Sequence, residues 1–157
     1  MTIARGTAAP SELRLGDGTF RLKPLNYAAI GEYEQWCQDA YIAQIERLIG
    51  NLEPEDARQA RIDAVKLASK LTMTTDDPEA SATMSRLSSS LEGGTRLMWL
   101  SMRAEQADLT LERVGDLLAD PAALGQALDH FNRLNEGPED APGKPKRPAR
   151  TRKKKSR

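Results

Sequence analysis

Three times in this chain a proline directly follows an acidic residue: Glu53-Pro54, Asp77-Pro78 and Asp120-Pro121. Proline has no amide to give to a helix interior, and its ring collides with the turn before it. At the first helical position neither defect matters. The acids there stabilise the positive end of the helix dipole. Each dipeptide therefore predicts a helix start, and no helix runs across it. A chain divided in this way folds as several short helices packed together, not as one long rod.

The runs between these starts have helical periodicity. Asn26 serves as a cap for the first helix, which spans Tyr27 to about Ile49. Its apolar stripe is Ile30, Tyr33, Cys37, Tyr41 and Leu48, joined by Ala40 and Ile45, in steps of three and four. Gly50-Asn51 stops it. The second helix, from Pro54 to about Leu71, rests on Ala57, Ala60, Ala64, Val65, Ala68 and Leu71. So many alanines predict close packing against a neighbour. The third begins at Pro78 and carries Met84, Leu87 and Leu91. Gly93-Gly94 then predicts an interruption, because each glycine costs a helix about 1 kcal/mol. Thr95–Gln106 forms the next helix. Asp108–Ala119 follows with Thr110 as cap. The last starts at Pro121, places Leu124, Ala127, Leu128, Phe131 and Leu134 on one face, and ends at Asn135 to Gly137.

Upstream the period changes from helical to alternating. Leu13 and Leu15 share a face, Gly16-Asp17-Gly18 makes a turn, and Phe20 and Leu22 alternate with Thr19, Arg21 and Lys23. This predicts a β-hairpin ended by Pro24. A lone hairpin is marginal in water, so its Leu/Phe face must lie on helices or on another chain. The expected fold is mainly α (α+β), with five to six helices and a short N-terminal hairpin. The expected organisation is a flexible segment over 1–11, a helical domain over 12–137, and a disordered basic tail over 138–157. That tail has no large apolar side chain to offset its ordering entropy.

Charge is segregated along the 157 residues. Positions 1–143 hold 14 Lys/Arg against 23 Asp/Glu, a net of −9, while positions 144–157 hold nine Lys/Arg and no acid. The basic positions are Lys144, Lys146, Arg147, Arg150, Arg152, Lys153, Lys154, Lys155 and Arg157. Such an arm can touch an anion, including nucleic acid. It has no aromatic residue to stack on bases.

Most catalytic constellations are excluded by residue count. One cysteine, Cys37, rules out an internal disulfide framework and a cysteine-built zinc site. One histidine, His130, makes a His-rich metal site or a Ser-His-Asp triad improbable. Cys37 sits on an apolar stripe and reads as a small core residue. His130 borders the apolar face of the last helix and reads as structural. The carboxylate clusters Glu53/Glu55/Asp56, Asp76/Asp77/Glu79 and Glu139/Asp140 lie at helix starts or in the tail. Neither glycine pair carries the residues of a phosphate loop. The expectation is no enzyme: no catalytic, metal or cofactor-binding residue and no cofactor. No apolar run is long enough for a membrane span, and no apolar block suggests a signal peptide, so a cytoplasmic location is expected.

Two features point instead to a protein partner. Leu97, Leu100 and Ala104 form the core-facing line of their helix, Met98 and Met102 stack on its flank, and Trp99 points nearly opposite. Trp36 lies off the centre of its own stripe. Met and Trp are common at adaptable interfaces, so Trp36, Met98, Trp99 and Met102 are the candidate partner-binding residues, with core packing as the alternative.

The order of elements resembles the bacteriophage tail assembly chaperones. The residues that carry the resemblance are Leu22-Lys23-Pro24-Leu25-Asn26 leading into Ile30-Gly31-Glu32-Tyr33-Glu34, then Leu97-Met98-Trp99-Leu100-Ser101-Met102, then Ala107 to Leu118. It spans about Leu13 to Leu134. It implies a non-enzymatic protein of the host cytoplasm that holds tail tube and tape-measure subunits ready for assembly and leaves before the tail is complete. It also implies that a longer frameshifted form can exist, and Lys153-Lys154-Lys155 is what an A-rich slippery site would encode. Two other readings stand beside it: a structural head-tail connector or minor tail protein, and a small nucleic-acid-binding factor acting through the basic tail.

Overall fold

The computed structural model describes residues 10–135. Two strands, β1 (Ser11–Leu15) and β2 (Gly18–Leu22), form an antiparallel hairpin. Six helices follow: α1 (Tyr27–Leu48), α2 (Pro54–Ala68), α3 (Pro78–Ser89), α4 (Leu91–Met102), α5 (Leu111–Leu117) and α6 (Pro121–Asn135), with a 3-10 turn over Ile49–Asn51. The mainly helical fold with its N-terminal hairpin is as expected. The tail over 138–157, with all its basic residues, lies outside the described residues.

Local chemistry sets most helix starts. The Asn26 side chain accepts from the Ala29 amide at 2.8 Å. Asp77 accepts from Glu79 and Ala80, both at 3.1 Å. Thr110 accepts from Arg113 at 3.2 Å, and Asp120 from Ala122 at 3.0 Å. All three acid-proline dipeptides begin helices, although Glu53 makes no side-chain cap bond. The hairpin turn places Gly16 at φ 57, where a side chain would be strained.

The chain breaks three residues earlier than expected between α3 and α4. Ser90 closes α3 and caps α4, its hydroxyl accepting from the Gly93 amide at 3.0 Å. Gly93 and Gly94 therefore lie inside the first turns of α4. They are required by close approach: a Cβ on Gly93 would sit 2.0 Å from the Leu87 carbonyl oxygen, and one on Gly94 3.0 Å from Leu124. Helix α4 also stops at Met102 rather than Gln106. Beyond it the Gln106 side chain turns back to donate to the Met102 carbonyl at 2.8 Å. Ala104, expected on the core line, is consequently exposed. Helix α2 ends at Ala68, short of Leu71.

Helix α4 is central: α1, α3, α5, α6 and β2 all pack on it. Its residues Leu97, Met98, Leu100 and Met102 join Leu13, Leu15 and Leu22 of the hairpin, Tyr33 and Cys37 of α1, and Phe131 of α6 in one core. Helix α2 pairs with α1, where Arg61 and Glu46 join their exposed faces at 2.8 Å. No helix among the described residues is long and apolar enough to cross a membrane.

Candidate functional site

Helix α1 carries Glu32 and Trp36 one turn apart; α4 carries Arg96 and Trp99, and Arg103 caps its C-terminal end, at steps of three and four. Residues so spaced share a helix face. Where the two helices meet, their side chains form a continuous strip. The Arg96 guanidinium lies over the Trp36 ring, 5.3 Å from its centroid. Arg103 lies over Trp99 at 4.4 Å. Arg103 also grips the Glu32 carboxylate with both guanidinium nitrogens, one of them at 3.1 Å from Oε1.

Both tryptophans are half-buried and fixed. The Trp36 ring leans on buried Tyr33, with centroids 5.6 Å apart. The Trp99 indole N–H donates to the Leu109 carbonyl at 2.8 Å, which ties it to the segment before α5. Trp99 therefore offers an aromatic surface without a free polar edge, and Trp36 one held in place by its ring contacts. Arg96 differs from Arg103: among the described residues it has no ion pair, and its buried Nε has no acceptor. Cation–π contacts of this kind contribute about 0.5–1 kcal/mol at exposed positions. Trp and Arg together are the residue types most enriched at energetic centres of protein interfaces.

Met98 and Met102 lie elsewhere. Both are 0% exposed and belong to the core. In this conformation neither has surface to give a partner, so the expected Met/Trp face is a Trp/Arg face. Its arginines were readable from their spacing to Trp99. Glu32 was not, because nothing in the sequence says that the end of α4 packs beside α1 with Arg103 next to Glu32.

Cys37 is fully buried, and that burial pushes its thiol up to about 12. Burial likewise pushes the Tyr33 phenol well above its ordinary value. Tyr33 keeps its proton and donates to Ser88 at 3.1 Å. His130 is half-buried, its Nε2 2.8 Å from the Ser11 hydroxyl, which joins α6 to β1. Asp77 is held below the usual carboxylate range, chiefly by its bond to Lys70 and then by its cap bonds. Among the described residues no three His, Cys, Asp or Glu side chains gather where a metal could bind. An open groove of about 440 Å³ runs between the 72–75 loop, α3 and the end of α6. Hydroxyls of Thr72, Thr75, Ser81 and Ser85 line it beside Met84 and Leu128, with no charged side chain.

No known protein family, characterised protein or solved structure matches the chain.

Proposed function

We propose that the chain is a phage tail assembly chaperone that binds tail tube or tape-measure subunits through the strip on α1 and α4. The reading starts from the resemblance over residues 13–134. The observation that supports it most is the pair of fixed tryptophan–arginine stacks, Trp36 with Arg96 and Trp99 with Arg103, on one face. Aromatic area that is already rigid loses little conformational entropy when a partner covers it. The surrounding body is strongly acidic, which keeps such a surface soluble until it is covered.

Co-expression of the full chain with the tail tube and tape-measure proteins encoded beside it tests the proposal. A soluble complex is expected with at least one of them, and the chain is expected to be missing from finished tails. Trp36→Ala should weaken that complex by about tenfold or more while the free protein still melts cooperatively. No complex with either subunit, or a binding loss that merely follows loss of folding, would refute it. Recovery of the chain in finished particles would favour the virion-component reading.

The charge segregation favours one second reading, a nucleic-acid contact through residues 144–157. It requires DNA binding that weakens steeply with salt and vanishes when those residues are removed.

A further inference from the structure

The two edges of the hairpin differ. Gly16 and Asp17 form a two-residue loop, so Leu15 and Gly18 exchange main-chain hydrogen bonds. Alternation then makes Leu13–Phe20 and Ser11–Leu22 the other hydrogen-bonded pairs. The amides and carbonyls of Glu12, Arg14, Thr19 and Arg21 therefore point out of the two edges.

On the β2 side the chain fills its own edge. The Gln106 amide acts as a substitute strand: its Oε1 accepts from the Arg21 amide at 3.1 Å, and its Nε2 donates to the Arg21 carbonyl at 3.0 Å. At the next outward position the Lys23 amide donates to the Ser101 carbonyl at 3.1 Å, and the Ser101 hydroxyl donates to the Lys23 carbonyl at 2.6 Å. On the β1 side, the main chains of Glu12 and Arg14 have no partner among the described residues, and both residues are exposed.

We propose that β1 pairs antiparallel with β1 of a second copy, about a two-fold axis at Leu13, giving the strand order β2-β1-β1-β2. The charges select this occupant and this register. Outward groups can meet in three ways. Glu12 opposite Glu12, or Arg14 opposite Arg14, sets like charges against each other. Glu12 opposite Arg14 of the second copy sets opposite charges together twice, because the axis repeats the pair. On the exposed face Arg21 already stands beside Glu12, at 3.9 Å, so each Glu12 would lie between two arginines. Pro10 would fall at the next outward position and has no amide to give, which limits the pairing to these residues. Charges on an edge normally deter strand addition. Here their order deters every register but one. An edge this short predicts weak association, with a dissociation constant on the order of 0.1–1 mM.

The test uses the full chain in sedimentation equilibrium and amide hydrogen exchange across a concentration series. The expected result is a monomer–dimer equilibrium in which the Glu12 and Arg14 amides gain protection as the dimer forms. Arg14→Glu should weaken self-association by about tenfold. Its neighbour across the hairpin is the neutral Thr19, so the change disturbs no ion pair within the chain. Glu12→Arg should weaken it similarly. Mixing the two variants should restore a dimer at least as strong as the original, because each then meets its opposite charge at both positions. If Glu12→Arg fails to fold by circular dichroism, Glu12→Gln takes its place and the Arg14→Glu result stands alone. A monomer at 1 mM (about the top of the expected range), a dimer indifferent to both charge changes, or protection of these amides in the monomer would each overturn the proposal. The last result would place another segment of the same chain on β1.

Discussion

Replacing Gly93 by alanine should damage the fold, although glycine inside a helix is ordinarily the weaker choice. The added Cβ would lie 2.0 Å from the Leu87 carbonyl oxygen, 2.8 Å from its carbon and 3.0 Å from the Ser90 hydroxyl. An ordinary carbon–oxygen contact needs more than 3 Å, roughly the van der Waals limit, so a main-chain carbonyl must move by more than an ångström. That carbonyl accepts from the Ser90 amide at 3.2 Å and from its hydroxyl at 2.6 Å. Moving it opens the α3–α4 junction and removes the Ser90 cap, a loss of about 0.5–2 kcal/mol for the cap and about 1 kcal/mol for each hydrogen bond. Alanine returns about 1 kcal/mol of helix propensity. The net expectation is a destabilisation of about 1–3 kcal/mol. Gly31 in α1 and Gly125 in α6 are exposed, with nothing within 4 Å of an added Cβ. There the propensity gain stands alone, and Gly31→Ala and Gly125→Ala should each stabilise by about 0.5–1 kcal/mol. Urea unfolding followed by far-ultraviolet circular dichroism, with the slope unchanged, measures all three. A Gly93→Ala protein as stable as Gly31→Ala would refute the close-approach reasoning. The variant also has a reach beyond stability: Gly93 lies one turn before Arg96, and its carbonyl accepts from the Tyr33 hydroxyl at 3.3 Å.

Two further outcomes follow from other contacts. Gln106→Ala removes both bonds to the Arg21 main chain and the bond to the Met102 carbonyl. It should destabilise by about 1–2 kcal/mol and raise hydrogen exchange at the Arg21 amide; unchanged exchange there would show that Gln106 does not hold the edge. Alkaline pH should weaken the fold before any phenol or thiol ionises inside it. Burial raises both Cys37 and Tyr33, so the unfolded chain releases these protons first, above pH 9.0 for the thiol and 10.0 for the phenol. The stability they contribute is complete below those values and falls by about 1.4 kcal/mol per pH unit for each group as pH rises. Unfolding midpoints from pH 8 to 11 (roughly the window set by the ordinary values) check this, and Cys37→Ala should flatten the first part of the decline.

Helix starts were legible because a capping side chain acts within three residues of itself and a proline acts at its own position. Asn26, Asp77 and Thr110 needed no tertiary information. The α3–α4 break was not legible for the opposite reason. Gly93-Gly94 reads locally as a weak point in a helix, whereas its cause is the carbonyl of Leu87 and the side chain of Leu124 pressing on α4 from outside. Met98 and Met102 show the same limit. A helical wheel separates flank from centre, but it cannot say that α4 is packed on several sides, so that its flank is buried too. Trp36 and Trp99 could be marked as off-centre aromatics. Their union into one strip depended on how α1 and α4 pack together, which the Arg103–Glu32 and Arg96–Trp36 contacts reveal.

The position of α4 governs both surfaces. One face of the helix and its C-cap present Arg96, Trp99 and Arg103 beside α1, and its last turn and the segment after it present Ser101 and Gln106 to the hairpin. The glycines at its start fix how deeply it sits against α3 and α6. If the helix slid outward, Arg96 would leave Trp36, and Ser101 would leave Lys23, at the same time. The strip is then lost together with the closure of the β2 edge, and both hairpin edges become open to strand addition. A chain with two open strand edges is exposed to pairing at random. Filling one edge with Gln106 and Ser101, and patterning the other with Glu12 and Arg14, meets that hazard with four side chains.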